Sequence, residues 1–412
     1  MKLRKKQMTY LDWAAAAPVS RAAMAAFIKA MSAQGNPGSP HAEGMRAKEL
    51  LEDARRTIAR LLSVKTDGVI FTSGATEANA LAIHGHLQAL QDLGRQLKDV
   101  HVLYLPTAHA SVVETMEALV RRGVQVEPLV ITHGAVDIDA LKKQIRPETV
   151  LVSMDAVCGE TGTRWDTRDV RRTLNAVRTA PIEVSPRWAP TSRILLHVDA
   201  SQASFTESLA LNHLGADLLT LDAQKVGGVR GIGALVRAHP LIPLVSIMQG
   251  GGQEQGLRPG TVNPALAQAF AAALSEAQEG REEFVARSLR LRADLVSTLA
   301  SVFSDMSVNG EVHRGETSMN AAHILNISFP GRDTDYTVML LSEAGFMVST
   351  KSACETDSET GSRAVLALTG DKERALSTLR ISWGPDTGAK SLRDFALVLI
   401  KTIHFQDTSA LK

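Results

Sequence analysis

Cysteine is scarce in this chain: its 412 residues contain two, Cys158 and Cys354. Two thiols cannot build the cross-linked framework of small secreted domains, and they suit a reducing compartment. Neither sign of charge is in excess. Lys and Arg number 45 against 44 Asp and Glu, leaving a formal net charge of +1, which speaks against a nucleic acid or a membrane surface as the main partner. Long apolar runs are missing as well: no stretch approaches a membrane span. The basic start, Met1 to Gln7, is not followed by an apolar segment of signal-peptide length. Repeats, heptads and low-complexity tracts are also lacking. These absences make the cytoplasm the expected location.

What is present is ordinary globular material, 44% hydrophobic and 22% charged. The length exceeds what one core usually organises, so one large domain with a smaller one attached is expected. From Gly68 to Arg237 short apolar or β-branched runs alternate with amphipathic stretches. Strands are expected near Val69–Phe71, Val102–Leu105, Val124–Val130, Val150–Met154, Ile194–Val198, Leu218–Leu221 and Gly233–Val236, with helices between. That alternation predicts an α/β fold with a mostly parallel seven-stranded sheet covered on both faces. Three prolines in Pro181–Pro190 read as a surface loop. After Thr261 the pattern becomes helical, and Leu291, Leu295, Leu299 and Val302 fall on one face. This region reads as the link into a small C-terminal α/β domain with strands near Ile324–Phe329, Phe346–Ser349 and Leu379–Ser382 and a last helix over Leu392–His404.

Three places along this pattern carry chemistry. Lys225 closes the apolar run that starts at Ala216 and opens onto a glycine-rich turn. A lysine at a strand end is either a solvated surface residue or, where desolvation lowers its pKa, an amine able to hold an aldehyde cofactor covalently. Asp199 ends the run Ile194–Val198, at the sheet edge where open α/β folds bind ligands. It could pair with a protonated pyridine nitrogen or simply cap the next helix. Ser73-Gly74-Ala75-Thr76-Glu77 joins a short strand to a helical pattern, and the free amides there, with the Thr76 hydroxyl, suit a phosphate. The glycines of Gly228–Gly233 lead into a strand, which excludes a dinucleotide-binding turn.

Taken in order along the chain, these segments resemble the cysteine desulfurase family, within the class V branch of fold-type I pyridoxal phosphate enzymes. The resemblance runs from about Tyr10 to Asp386. It is carried by Tyr10-Leu11-Asp12-Trp13, Gly35-Asn36-Pro37, Thr72–Glu77, His109, His197–Gln202, Lys225, Gly231–Leu235, Gly250–Glu254, Arg258–Thr261, Lys351–Cys354 and Leu379–Ser382. It implies a fold-type I transferase with a large cofactor-binding domain over 20–262 and a small domain formed by 1–19 and 263–412. The implied activity is conversion of L-cysteine to L-alanine, with the sulfur carried on Cys354 as a persulfide for an acceptor protein in iron–sulfur cluster assembly. Lys225, Cys354 and His109 would be catalytic, and pyridoxal 5'-phosphate would be held by Ala75, Thr76, His109, Asp199, Gln202, Gln224, Lys225 and Thr261. Thr261 would reach the phosphate across a homodimer interface. Asn36 and Arg380 would bind the substrate, Arg380 because a guanidinium fork suits an α-carboxylate. No metal, nucleic acid or membrane is implied. Another class V enzyme, such as a selenocysteine lyase or an amino acid lyase that does not use Cys354, and a non-catalytic scaffold are alternative readings.

The chain departs from the family at three places. Asp222 and Gln224 stand where a phosphate-binding serine and a histidine are usual. A carboxylate about 4 Å from a phosphate charge is unfavourable by about 4 kcal/mol at an effective dielectric near 20, so Asp222 must turn away, be protonated or be compensated, with Arg230 as one candidate. Weak retention of the cofactor is expected. Cys158-Gly159 replaces paired asparagines, and Gly159 cannot supply an amide to a substrate carboxylate. Cys158 reads as a buried filler or as a second thiol near the site. Acidic Glu355, Asp357 and Glu359 surround Cys354 where small hydroxyl residues are usual. They oppose a thiolate that Lys351 favours.

Overall fold

The structure, a computed structural model, describes residues 8–177, 193–311, 313–314, 317–318, 320–350 and 361–409. The Pro181–Pro190 stretch and the segment with Lys351 and Cys354 lie outside them. The chain divides into two compact units. The larger comprises Pro18–Val157 and Trp165–Gly280, and the smaller the described residues of Met1–Ala17, Cys158–Arg164 and Arg281–Lys412.

The larger unit is organised by a seven-stranded sheet in the order Val69–Thr72, Gly233–Arg237, Leu218–Asp222, Leu195–Asp199, Thr149–Asp155, His101–Tyr104, Gln125–Pro128. Gly233–Arg237 is antiparallel to both its neighbours, and the other pairings are parallel. Val69–Thr72 and Leu218–Asp222 are buried at every position, as a sheet covered on both faces requires. The strand expected over Val124–Val130 stops at Pro128, and Ile131–Thr132 then pairs with Ala135–Val136. The turn between them holds His133 and Gly134 at φ of 50° and 72°, the left-handed pair that a two-residue hairpin demands. Because six strands point the same way, Thr72, Asp155, Asp199 and Asp222 end on one edge of the sheet.

Helix Pro264–Glu279 begins at a proline in its first turn, and the Asn263 side chain accepts from the Ala265 and Leu266 amides. It packs on helices Arg21–Ala30 and Ala42–Leu62. The sequence reading began the smaller domain at residue 263. This helix instead stays with the larger unit, because its buried face of Ala265, Ala269, Phe270, Ala273 and Ala277 lets those helices approach closely.

A buried ion pair ties the glycine-rich stretch after Gly250 to the same unit. Arg55 donates through both terminal nitrogens to Glu254, at 2.7 and 2.6 Å. Glu254 also accepts the Phe71 amide at 2.7 Å, and the guanidinium lies over the Phe71 ring. Burial works against the charge on Arg55, but the Glu254 and Glu52 carboxylates together outweigh it and raise the pKa above its ordinary value.

The smaller unit has an antiparallel three-stranded sheet in the order Ser307–Asn309, Ile324–Ser328, Thr378–Ser382. The N-terminal strand Thr9–Tyr10 pairs in parallel with Phe346–Met347. Leu291, Leu295 and Leu299 are buried along helix Arg281–Ala300. Val302, expected on that face, is exposed, because the helix has ended before it. Cys158–Arg164 forms a turn in this unit, where Cys158 is 1% exposed. Gly162 has φ 73° there, and a Cβ on it would lie 2.5 Å from the Ile324 carbonyl oxygen, so only glycine fits. No helix among the described residues is long and apolar enough to cross a membrane.

Two predictions follow from this packing. Glu254→Ala leaves Arg55 buried without its bidentate partner and should cost about 3–5 kcal/mol in urea unfolding; a loss below about 1 kcal/mol contradicts the assignment. Burial also holds His86 and His197 at a pKa of about 4 and His323 at about 3, against an ordinary 6.5. The unfolded chain therefore binds more protons than the folded one below about pH 6.5, and stability is lost as pH falls toward 4. The melting temperature should drop between pH 7 and pH 5; an unchanged value counts against neutral buried imidazoles.

Candidate active site

Three neighbouring strands, Thr149–Asp155, Leu195–Asp199 and Leu218–Asp222, each end on an aspartate. Asp199 is 7% exposed. Its Oδ2 accepts the Asn79 side-chain amide at 2.8 Å and its Oδ1 the Ser201 backbone amide at 2.9 Å. A carboxylate oxygen has two lone pairs, so each oxygen keeps acceptor capacity for a further N–H donor. Two residues earlier on the same strand, His197 joins Ser153 at 2.8 Å and Thr220 at 3.0 Å, one hydroxyl from each adjacent strand. Burial outweighs the pull of Asp199 and keeps this imidazole neutral near pH 7, with its pKa at about 4.

Asn79 connects Asp199 to the expected acid–base residue. Its side-chain nitrogen also donates to Ser111 Oγ at 2.9 Å. Ser111 Oγ in turn lies 2.9 Å from His109 Nδ1, which accepts the Ser111 amide at 3.1 Å. His109 is exposed and caps helix Ala110–Arg121 through that bond. Lys225, half-buried, ends the single turn Ala223–Lys225 that follows Asp222, and this turn packs on Ser201–Ala203, which carries Gln202. The structure thus brings Asp199, His109, Gln202 and Lys225 to one edge of one sheet.

Ala75 and Thr76 open helix Ala75–Asp92, whose N-cap residue Gly74 provides no side-chain bond. Asp222 provides it instead: Oδ2 accepts the Ala75 amide at 3.1 Å, and Oδ1 the Gln224 amide at 3.0 Å. Arg230, named as a candidate compensator, is exposed and shares no hydrogen bond or ion pair with Asp222 among the described residues. Arg258 lies in the same neighbourhood, and the carboxylate that it recognises is internal: Nε donates to Glu77 Oε1 at 3.0 Å. Burial pulls Glu77 upward, but Arg258 and Ser73 outweigh it and hold Glu77 below its ordinary pKa.

Asn36 and Thr261, both exposed, line one open cavity of about 620 Å³ with Lys48, Arg55 and Glu254; Asp199 and Lys225 do not line it. Thr261 also lines a smaller cavity of about 150 Å³ with Thr72, Gly231 and Arg258. In the smaller unit Arg380 is buried; one terminal nitrogen donates to Asp12 at 2.8 Å and the other to the Gly159 carbonyl at 3.1 Å. Cys354 lies outside the described residues. Sequence reasoning missed Asn79 and Ser111. The one available signal for Asn79 was an amide placed among Ala78, Leu81 and Ala82 on a helix face otherwise suited to burial.

The sequence profile of the family described as aminotransferase class-V matches residues 9–394. A cysteine desulfurase IscS of Methylococcus capsulatus is 34% identical over 96% of this chain and 92% of its own length. Among solved structures, a NifS-like protein superposes with a TM-score of 0.84 at 27% identity, covering 97% of this chain and 100% of that one. SspA in complex with cysteine gives a TM-score of 0.71 at 25% identity, covering 91% and 99%. Full-length likeness, together with a carboxylate and a lysine at the carboxyl edge of a mostly parallel sheet, places the chain in the class-V aminotransferase family, among the cysteine desulfurases.

Proposed function

We propose that this protein is a pyridoxal 5'-phosphate-dependent cysteine desulfurase that converts L-cysteine to L-alanine. It works as a cytoplasmic homodimer and passes the sulfur to an acceptor protein. The observation that carries the reading is Asp199, a buried carboxylate fixed by Asn79 and Ser201 with acceptor capacity left on both oxygens. A carboxylate with that acceptor capacity fits a protonated ring nitrogen, which donates. A turn carrying Lys225 packs beside it. Further support comes from relatives named cysteine desulfurase over nearly their whole length, and from a related structure that holds cysteine.

In this reading the larger unit binds the cofactor and the smaller carries the cysteine segment. Pyridoxal phosphate, when bound, supplies an electron sink for charge developing at the substrate. Lys225 would hold it covalently and, once released, move the substrate α-proton on Nζ. Asp199 would accept the ring N–H, with its orientation set by Asn79. His109 would lie against the ring, its Nδ1 held by Ser111, and its imidazole suits moving a proton near neutral pH. Gln202 would donate to the ring hydroxyl oxygen, while Ala75, Thr76, Gln224 and the partner subunit's Thr261 face the phosphate. Asn36 and Arg380 would bind the amino acid. Cys354 would attack the substrate sulfur as a thiolate, forming an S–S bond as the Cβ–S bond breaks. The electron pair left at Cβ would then take a proton and Cα would regain the one that Lys225 removed, giving alanine and a persulfide on Cys354.

Two expected outcomes test this. Purified protein incubated with pyridoxal phosphate should gain a visible absorbance band that L-cysteine shifts, and Lys225→Ala should lack the band and lose about 10²- to 10⁴-fold in alanine release. A band of equal strength in the variant rejects the assignment of Lys225. Cys354→Ser should form alanine without leaving a protein-bound persulfide only at a residual rate, measured by mass spectrometry of the intact chain; full alanine release by this variant rejects the persulfide route and favours a lyase that does not need the thiol.

A further inference from the structure

The antiparallel strand Gly233–Arg237 lies between Val69–Thr72 and Leu218–Asp222, so Gly233 is paired with Thr72 on one side and Asp222 on the other. A Cβ on Gly233 would stand 2.6 Å from the Leu221 carbonyl oxygen and 2.8 Å from Gly74 Cα. Only glycine allows the two turns to come this close. Across the gap the Asp222 carboxylate caps a helix that begins 147 residues away, accepting the Ala75 amide at 3.1 Å. Its remaining bonds go to Gln224, through the backbone amide at 3.0 Å and the side-chain amide at 3.4 Å. Asp222 is 7% exposed, and among the described residues no cation is bonded to it. Its negative charge therefore sits at the positive end of the helix Ala75–Asp92 dipole.

We infer that Asp222 is an internal anion occupying the phosphate end of the cofactor site, and that it lowers the selectivity of this site for a phosphorylated over a non-phosphorylated pyridoxal. The inference rests on the function proposed above, since it concerns the same aldehyde held by Lys225. A phosphate has to share or displace the bond from the Ala75 amide and meets a like charge on a buried carboxylate. Pyridoxal, which ends in a neutral hydroxymethyl group, meets neither obstacle. The ring end of the site, built on Asp199 and Asn79, serves both forms equally.

The test is a titration of the whole protein with pyridoxal 5'-phosphate and with pyridoxal, following visible absorbance and reading a dissociation constant for each. For the unaltered chain the two constants should lie within about tenfold of each other; a preference for the phosphorylated form of about a hundredfold or more overturns the inference. Asp222→Asn keeps an oxygen for the Ala75 amide and removes the charge. It should tighten the phosphorylated form by about tenfold or more while moving pyridoxal by less than about twofold. Asp222→Ser is the second variant, checked for folding by thermal melting, with the same direction expected. Inorganic phosphate should compete with the phosphorylated aldehyde better in either variant than in the unaltered chain. Equal tightening of both aldehydes, or of neither, overturns the role given to Asp222 while leaving the proposed function standing. Failure of either aldehyde to give a band with the unaltered chain and both variants rejects the proposed function, and this inference with it.

Discussion

A carboxylate withdrawn from water at the end of a central strand is the constraint around which the rest of the candidate site is arranged. Asp199 is 7% exposed, and burial of that charge is tolerable only with hydrogen-bond donors on both oxygens. One donor is local, the Ser201 amide two residues on; the other, Asn79, comes from the helix that follows the outermost strand, Val69–Thr72. Because the same Asn79 nitrogen also reaches Ser111, and Ser111 holds Nδ1 of His109, the ring of His109 is oriented by the group that secures Asp199. His197 adds stiffness from below by bonding to a hydroxyl on each neighbouring strand.

Helix Ala75–Asp92 is the common receptor for these groups. Its first turn receives Asp222 at the Ala75 amide and Arg258 at Glu77, and its second turn presents Asn79 to Asp199. The stretch that carries Arg258 is itself held down by Glu254, whose carboxylate satisfies both Arg55 and the Phe71 amide. In the proposed function, cofactor chemistry and phosphate recognition would therefore share one helix but answer to different charges. Asp199 keeps its free lone pairs for a ligand, whereas Asp222 directs its own toward the protein. This contrast between two aspartates at neighbouring strand ends is where the chain departs from the family pattern with physical consequence.

Much of the fold was legible without coordinates. The strands around Ile70, Leu103, Val152, Val198, Leu219 and Leu235 are short apolar runs between helical patterns, and burial on both faces leaves little else for them to be. Lys225 and Asp199 were legible too, since each closes such a run and the carboxyl ends of parallel strands share an edge. The strand at Val124 was read too long because apolar content continues past Pro128, while the hairpin around His133 and Gly134 depends on left-handed backbone that composition does not announce. Helix Pro264–Glu279 was assigned to the wrong unit for a related reason. Its alanine-rich face states that something packs closely against it, not which helix does.

What the sequence determined by itself is the α/β class, the strand positions and the identities of the residues delivered to the sheet edge, all of which rest on local periodicity and on which residue follows an apolar run. What the tertiary structure alone decided is how those residues are partnered. Asp222 turns to Ala75, Arg258 to Glu77 and Glu254 to Arg55, across separations in sequence that no local pattern encodes. Strand order and register set these pairings, because a hydrogen bond depends on a few tenths of an ångström between atoms that only the completed sheet brings together.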